Sequence, residues 1–378
     1  MKNYTILFII FLGFISCENS TSQYQNEYKK LFNFRKLKNS EKKMYYNKSE
    51  ILYNQLLGRS NFNGGILIAK NGEIVYEKYN GYSNLTTKEP INSNTTFHIA
   101  SVSKTFTAMA ILRLWEQHKL NISDSLQQFF PSLPYHNITV KDLLSHRSGL
   151  PNYLYFSDTA FKKNSRVTNN DVLNYMIYAQ PALYAKPNKI FHYCNTNYVL
   201  LALIIEKTTG ISYPKYMKDS IFNPIGMKNS FVFSIKDTNN YSPSYGYNNQ
   251  PFNLENIDCI YGDKNIYSTV QELLLWDKAL YNNSIVSEVT YKIATEPCSN
   301  ERKSIHNYGL GWRLFISKSD KKVYHNGWWH GNNAVFVRLI KDTATIITLG
   351  NKYNRSIYTT AKMANIFSTS KNEEDLEE

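Results

Sequence analysis

At 378 residues, with 42% of them hydrophobic and 15% aromatic, the chain can bury a core in one large domain or two, which excludes a disordered polymer. Four cysteines, Cys17, Cys194, Cys259 and Cys298, include no Cys-x-x-Cys pair and so indicate neither a zinc site nor a disulfide scaffold. The formal charge of +13 is uneven, because eight Lys/Arg from Lys29 to Lys48 face only Glu41, whereas Lys371 to Glu378 carries one plus and five minus.

The chain opens Met1-Lys2-Asn3-Tyr4, followed by the apolar run Ile6 to Leu12, too short for a resident membrane span. It reads as a secretion signal ending Gly13-Phe14-Ile15-Ser16-Cys17, which resembles a bacterial lipobox. The resemblance implies that Cys17 is lipidated and that 1–17 is removed up to it. The expected location is the cell envelope, across the inner membrane, in the periplasm or at the outer membrane. Residues 18–48 are expected to form a flexible basic tether, Ser/Thr/Asn/Gln-rich at its start. Its positive charge suits anionic lipid headgroups, or a solvated helix face, and no nucleic-acid motif accompanies it. The folded domain is expected over 49–367, and 368–378 as an acidic disordered tail.

Apolar residues from Ile51 to Leu57 fall at helical spacing, with Gly58 as a stop. Two β-rich runs then flank Asn71-Gly72, the strongest short hairpin signal. Next, Phe97-His98-Ile99-Ala100-Ser101 leads into Phe106 to Trp115, a run without Gly or Pro that predicts a buried helix. Ser101 stands at its opening, and Lys104, three residues on, shares its face and can fold back onto the hydroxyl. A hydroxyl is a poor nucleophile, and a lysine kept dry can take or relay its proton. Unpaired backbone N–H groups at the helix start suit an oxyanion. Ser-x-x-Lys also occurs at Ser40, Ser212, Ser319 and Ser368, but each of those lies among polar residues and opens no long apolar helix.

Helical patterns continue at Val172–Ile177, at Val199–Glu206 before Gly210, and at Leu273–Leu280. Strand-like runs return late, at Gly311–Ile316, Ala334–Leu339 and Thr345–Leu349. Strands at both ends with helices between predict an α+β fold: an antiparallel sheet made by N- and C-terminal segments, flanked by helices, with a helical subdomain inserted in the middle. Tyr193-Cys194-Asn195 directly precedes the helix at Val199, where a rigid element would fix its side chains. Tyr-x-Asn also occurs at Tyr24, Tyr45, Tyr82, Tyr247 and Tyr281, so position selects Tyr193. His325-Asn326-Gly327 falls before the last strands, where glycine permits close backbone approach.

Ala100 to Ala108, Tyr193-Cys194-Asn195 and His325-Asn326-Gly327, in this order, resemble the three motifs of the serine β-lactamase and penicillin-binding-protein family, in particular its class C-like branch. The likeness runs from about Gly65 to about Gly350, with family-like stretches at Leu143–Pro151 and Ile266–Thr269. It implies the β-lactamase/transpeptidase-like fold, with Ser101 as nucleophile, and Tyr193 sharing proton transfer with Lys104. It implies further that Asn195 orients the lysine and the substrate amide, that His325 faces a substrate carboxylate, and that the N–H after Gly327, that of Trp328, joins that of Ser101 as the oxyanion hole. Trp328-Trp329-His330 is bulkier than most relatives carry. His146, with Asp142 four residues earlier, is read as structural, since the family uses no catalytic histidine there. No Gly-x-Ser-x-Gly elbow, His-Glu-x-x-His or Walker loop occurs.

The expected function is that of a serine hydrolase working through an acyl-enzyme on D-amino-acid peptides of cell-wall type or on small esters and amides, with no metal or organic cofactor. A class C-like β-lactamase is the alternative, placed second because a neutral imidazole at 325 attracts a carboxylate less than an ammonium does. A catalytically idle penicillin- or peptide-binding envelope lipoprotein is the other. Expected partners are a small or peptide substrate and, through the lipid, a membrane; the oligomeric state is left open.

Overall fold

The computed structural model describes residues 34–162, 165–237, 241–318 and 321–367, and from Arg35 on they form one unit. The predicted signal with Cys17, the tether up to Asn33 and the tail from Ser368 lie outside the described residues.

The first element overturns the expected tether boundary at Lys48: helix α1 (Asn39–Leu56) begins well inside it. Glu41 accepts the backbone N–H of Lys38 at 2.9 Å and pairs with Arg35 at 2.6 Å, which closes the helix start. Ser49 and Tyr53 face inward, and Tyr45 meets the Phe367 ring at 5.1 Å, while Lys43 and Lys48 face solvent. Lys43 and Lys48, part of the basic run that suggested a tether, thus lie on the wet side of an amphipathic helix whose apolar positions are sparse enough to miss.

Strands β1 (Gly64–Lys70) and β2 (Glu73–Asn80) form the predicted hairpin, with Asn71 and Gly72 both at positive φ, 53° and 69°. The other sheet strands come late: β3 (His306–Tyr308), β4 (Arg313–Ile316), β5 (Lys321–Trp329), β6 (Asn332–Leu339) and β7 (Ala344–Gly350). The order is β2-β1-β7-β6-β5-β4-β3, so the C-terminal strand pairs with the first, Gly65 opposite Leu349. All pairings are antiparallel.

Side chains alternate across this sheet, and both faces are covered. Ile66, Ile68, Val335, Val337 and Ile346 pack with α1 and the C-terminal 3₁₀ helix Arg355–Ile366. Leu67, Ala334, Phe336, Ile347 and Leu349 point the other way, into the larger core. Each such aliphatic or aromatic side chain, fully buried, contributes about 1.5–3 kcal/mol. The larger core joins α2 (Ser103–Glu116), α3 (Asn195–Thr209) and α4 (Val270–Tyr281). Phe106 of α2 stacks on Trp276 of α4 at 4.0 Å. Helix α3 stops at Gly210, whose φ of 73° is the left-handed cap glycine takes most readily. The fold is therefore an α+β sheet with the helices of the middle of the chain inserted between β2 and β3.

Candidate active site

The short strand Phe97–His98 pairs with Ile266–Ser268, and the chain then turns sharply through Ala100, which is held at φ 48°. A non-glycine residue there is strained, and the His98 ring helps to hold it: Nδ1 accepts the Ala100 N–H at 3.1 Å while Nε2 meets Asn265 at 2.9 Å. Ser101 sits on the 3₁₀ turn Ala100–Val102, so the regular helix opens after it, at Ser103. Lys104, on the first turn of α2, is fully buried. Its Nζ donates to Ser101 Oγ at 3.0 Å and to the Asp263 carbonyl at 2.7 Å. Two aromatic rings complete its surroundings, Tyr193 at 5.1 Å and Tyr198 at 5.6 Å.

Cys194 caps α3, which puts Tyr193 just before the helix and Asn195 on its first turn, both facing the cleft that holds Ser101. Cys194's own thiol donates to the Leu150 carbonyl, and burial pushes it up to about 11. The Cys194 N–H donates to His146 Nδ1 at 3.1 Å, and the His146 ring lies 4.3 Å from that of Tyr193. Burial, with Lys104, His325 and Arg313 nearby, holds His146 well below the ordinary histidine range. A neutral ring whose Nδ1 is already an acceptor positions Tyr193's neighbour rather than serving as base.

Strand β5 presses against the turn that carries Ser101. A Cβ on Gly327 would lie 2.4 Å from the Ile99 carbonyl oxygen and 3.1 Å from the Ser101 nitrogen, so only glycine fits. The Gly327 carbonyl accepts from Tyr358 at 2.9 Å, and Tyr358 in turn from Asn333 at 2.7 Å, which fixes β5 beside the turn that carries Ser101. Trp328's side chain is 63% exposed on the cleft wall, with its indole N–H on the His330 carbonyl.

His325 departs from its expected place. It points to the buried side of β5 with Val323 and Gly327, is 0% exposed, and does not line the cleft. Its Nδ1 bonds the Asn326 carbonyl at 2.7 Å and its Nε2 the Tyr308 hydroxyl at 3.2 Å. Burial, then Arg313 and Lys104, hold it well below the ordinary histidine range. A ring capped at both nitrogens cannot meet a substrate carboxylate. The cation in the cleft is Arg313 on the neighbouring β4, its guanidinium 5.3 Å from the Tyr193 ring. An arginine inside a strand-like run, Gly311-Trp312-Arg313-Leu314, was the available signal for it.

A second polar layer lies behind the first, unannounced by any motif. Asp263, whose carbonyl anchors Lys104, has a carboxylate that accepts from Tyr153 at 2.9 Å and lies 3.8 Å from Lys264. Lys264, buried and thereby lowered, lies 4.6 Å over Trp329. The buried Asp258 carboxylate accepts Trp329 Nε1 at 2.7 Å and meets His330 Nε2 at 3.1 Å. Since Asn265 bonds both His98 and the Asp258 carbonyl, the turn that carries Ser101 and the end of β5 share one buried network. Asp258 is held below the usual carboxylate range by His330 against the opposing effect of burial.

The cleft encloses about 680 Å³. Among the described residues no group of three or more His, Cys, Asp or Glu could hold a metal ion. Residues 53–366 match the family described as Beta-lactamase. A penicillin-binding protein of Bacillus subtilis (strain 168) is 33% identical over 82% of this chain and 72% of its own length. Protein flp of Staphylococcus aureus (strain N315) is 30% identical over 76% of this chain, which spans 59% of that protein. Among solved structures, the octameric penicillin-binding protein homologue from Pyrococcus abyssi superposes with a TM-score of 0.72 at 26% identity, over 84% of this chain and 77% of that one. D-amino acid amidase from Ochrobactrum anthropi SV3 gives 0.70 at 20% identity, over 85% and 97%, a likeness of fold alone.

Proposed function

The chain belongs to the β-lactamase family of serine hydrolases, and from that premise we propose that it acts through an acyl-enzyme on D-amino-acid peptides of cell-wall type or on small esters and amides. The observation that carries this reading is the 3.0 Å hydrogen bond from Lys104 Nζ to Ser101 Oγ, made by a lysine with no exposure to water. In this reading Ser101 Oγ attacks the carbonyl carbon and its proton passes to Lys104, directly or through Tyr193. The backbone N–H groups of Ser101 and Trp328 receive the oxyanion, an arrangement supported by the close approach at Gly327. Asn195 orients the substrate amide. The proton then goes to the leaving amine or alkoxide, and water releases the acid by the same route.

Arg313 supports a substrate that ends in a carboxylate, as the leaving D-amino acid of a peptide does. It favours a class C-like β-lactamase equally, since a β-lactam carboxylate would meet the same guanidinium. Release of the acyl group separates the two. Intact-mass measurement after a fluorophosphonate, a penicillin and a D-Ala-D-Ala ester should show adducts on the wild type and none on Ser101→Ala. A penicilloyl adduct that persists while the ester turns over supports the peptidase reading, and rapid return to the free mass supports the β-lactamase. Adduct on the Ala variant at the wild-type rate would remove Ser101 as nucleophile.

We also propose a lipid on Cys17 that holds the protein at the envelope. The support is the apolar run ending Gly13-Phe14-Ile15-Ser16-Cys17. Wild type should partition into detergent and Cys17→Ser should stay in the aqueous phase. A mature N-terminus downstream of Cys17 without acyl mass would rule the anchor out.

A further inference from the structure

Opposite in charge to Arg313, one carboxylate lines the cleft, that of Glu255. Its side chain is 55% exposed, and the ring nitrogen Nδ1 of His330 lies 4.0 Å away, beyond hydrogen-bonding distance. No Lys or Arg pairs with it among the described residues. Its place is nonetheless fixed. The Glu255 backbone N–H donates to Asp258 Oδ2 at 2.7 Å, and Asp258 is the buried carboxylate that also ties Trp329 and His330. Two aromatic side chains of the same cleft are open to solvent, Phe252 at 42% and Trp328 at 63%. Phe252 is steadied by stacking on His330 at 5.2 Å. An exposed carboxylate with no Lys or Arg at contact distance among the described residues, in one cleft with exposed aromatic side chains, is the chemistry that recognises an ammonium group, because the charge meets the carboxylate and the ring quadrupoles together.

We propose that Glu255, with Phe252 and Trp328, receives a free ammonium on the acyl portion of the substrate. The assignment to the acyl portion rests on the hydrolase reading above, in which Arg313 takes the carboxylate of the leaving portion. The preferred substrates are then D-amino acyl amides, esters and peptides with an unblocked amine, and N-acylated ones are disfavoured.

The test is competition for Ser101. A fluorophosphonate labels the full-length protein while D-alaninamide or N-acetyl-D-alaninamide is titrated in, and labelling rate is read by intact mass. Protection needs binding only, so the result does not depend on turnover. For wild type, D-alaninamide should protect at a concentration about tenfold lower than its acetylated counterpart, the worth of one charge-assisted contact. Glu255→Gln should make the two equal, and Glu255→Lys should reverse the order. Equal protection by both compounds in wild type, or a preference that survives in Glu255→Gln, overturns the proposal while leaving Ser101 labelled and the hydrolase reading intact. Absence of labelling at Ser101 in the wild type overturns the hydrolase reading, and the ammonium assignment with it.

Discussion

Lys104 has two oxygen acceptors, Ser101 Oγ and the Asp263 carbonyl, at 3.0 and 2.7 Å, and no access to water. The compact lysine amine reaches both, whereas a guanidinium is larger, planar and stays protonated through any accessible pH, so it cannot take a proton. Lys104→Arg should therefore slow acylation by roughly a hundredfold or more, the scale of a lost general base. The check is the single-turnover acylation rate with an activated ester. A near-wild-type rate would mean that another group takes the serine proton. That Ser101, Lys104, Tyr193 and Asn195 come together was legible because each lies within a short segment whose local structure follows from spacing, a turn into a helix or a cap before one. His325 was misread for the opposite reason. Whether a strand residue faces a cleft or a core depends on what covers it, and the cover here is Tyr193, Tyr308 and Arg313, drawn from distant segments. Asp258, Asp263, Lys264 and Tyr153 were silent because a buried charge reads in sequence like an exposed one.

At the scale of elements, α4 and the sheet are joined by more than apolar contact. Arg338 of β6 is fully buried, and its Nε donates to Asp277 of α4, whose other carboxylate oxygen accepts from Thr345 of β7. The guanidinium also lies 4.4 Å from the Tyr281 ring and 4.8 Å from that of Tyr291. Removing one partner leaves a charge inside without its counterion, so Asp277→Ala should lower unfolding stability by about 3–5 kcal/mol. Urea denaturation followed by tryptophan fluorescence measures it. Replacing both partners, as in Asp277→Leu with Arg338→Met, should recover part of the loss. A double variant no more stable than Asp277→Ala would show that geometry rather than charge holds α4 in place. The β1–β2 hairpin, α3 and the late strands were readable because Asn71-Gly72, Gly210 and β-branched runs act locally. The start of α1 was not, since lysines crowd its first turns, its apolar residues are sparse there, and its cover, near Phe367, comes from the other end of the chain.

Across the whole folded unit, three histidines lie inside: His98 at 2% exposure, His146 and His325 at 0%. Burial pushes His98 down to about 4 and the other two well below the ordinary range, the latter pair helped by Arg313 and Lys104. Each is neutral when folded, and in the unfolded chain each titrates near 6.5. Above that value neither state binds the proton and stability is independent of these rings. As pH falls below about 6.5 the unfolded chain takes up protons that the folded one refuses. Stability then declines, approaching about 1.4 kcal/mol per pH unit for each ring, and His98 stops contributing to the slope near 4. Carboxylates act in the same direction but later. Asp258 and Glu50 are lowered when folded, so the stability they contribute is present above their unfolded values and is lost only below about 4.5. Urea midpoints should therefore be level between pH 8 and 7 and fall steadily from 6.5 toward 4.5, where the loss from Asp258 and Glu50 begins to add. His146→Asn, destabilised at pH 7.5, should lose less of what remains over the same interval, because one proton has been removed from the difference. A wild-type midpoint that stays level down to pH 4.5 would mean that the three rings protonate within the folded protein. For His146 and His325 the cause would then lie in movement of Tyr193 and Tyr308, whose rings pack on both, and Tyr193 is the ring that also flanks Lys104 and lines the cleft.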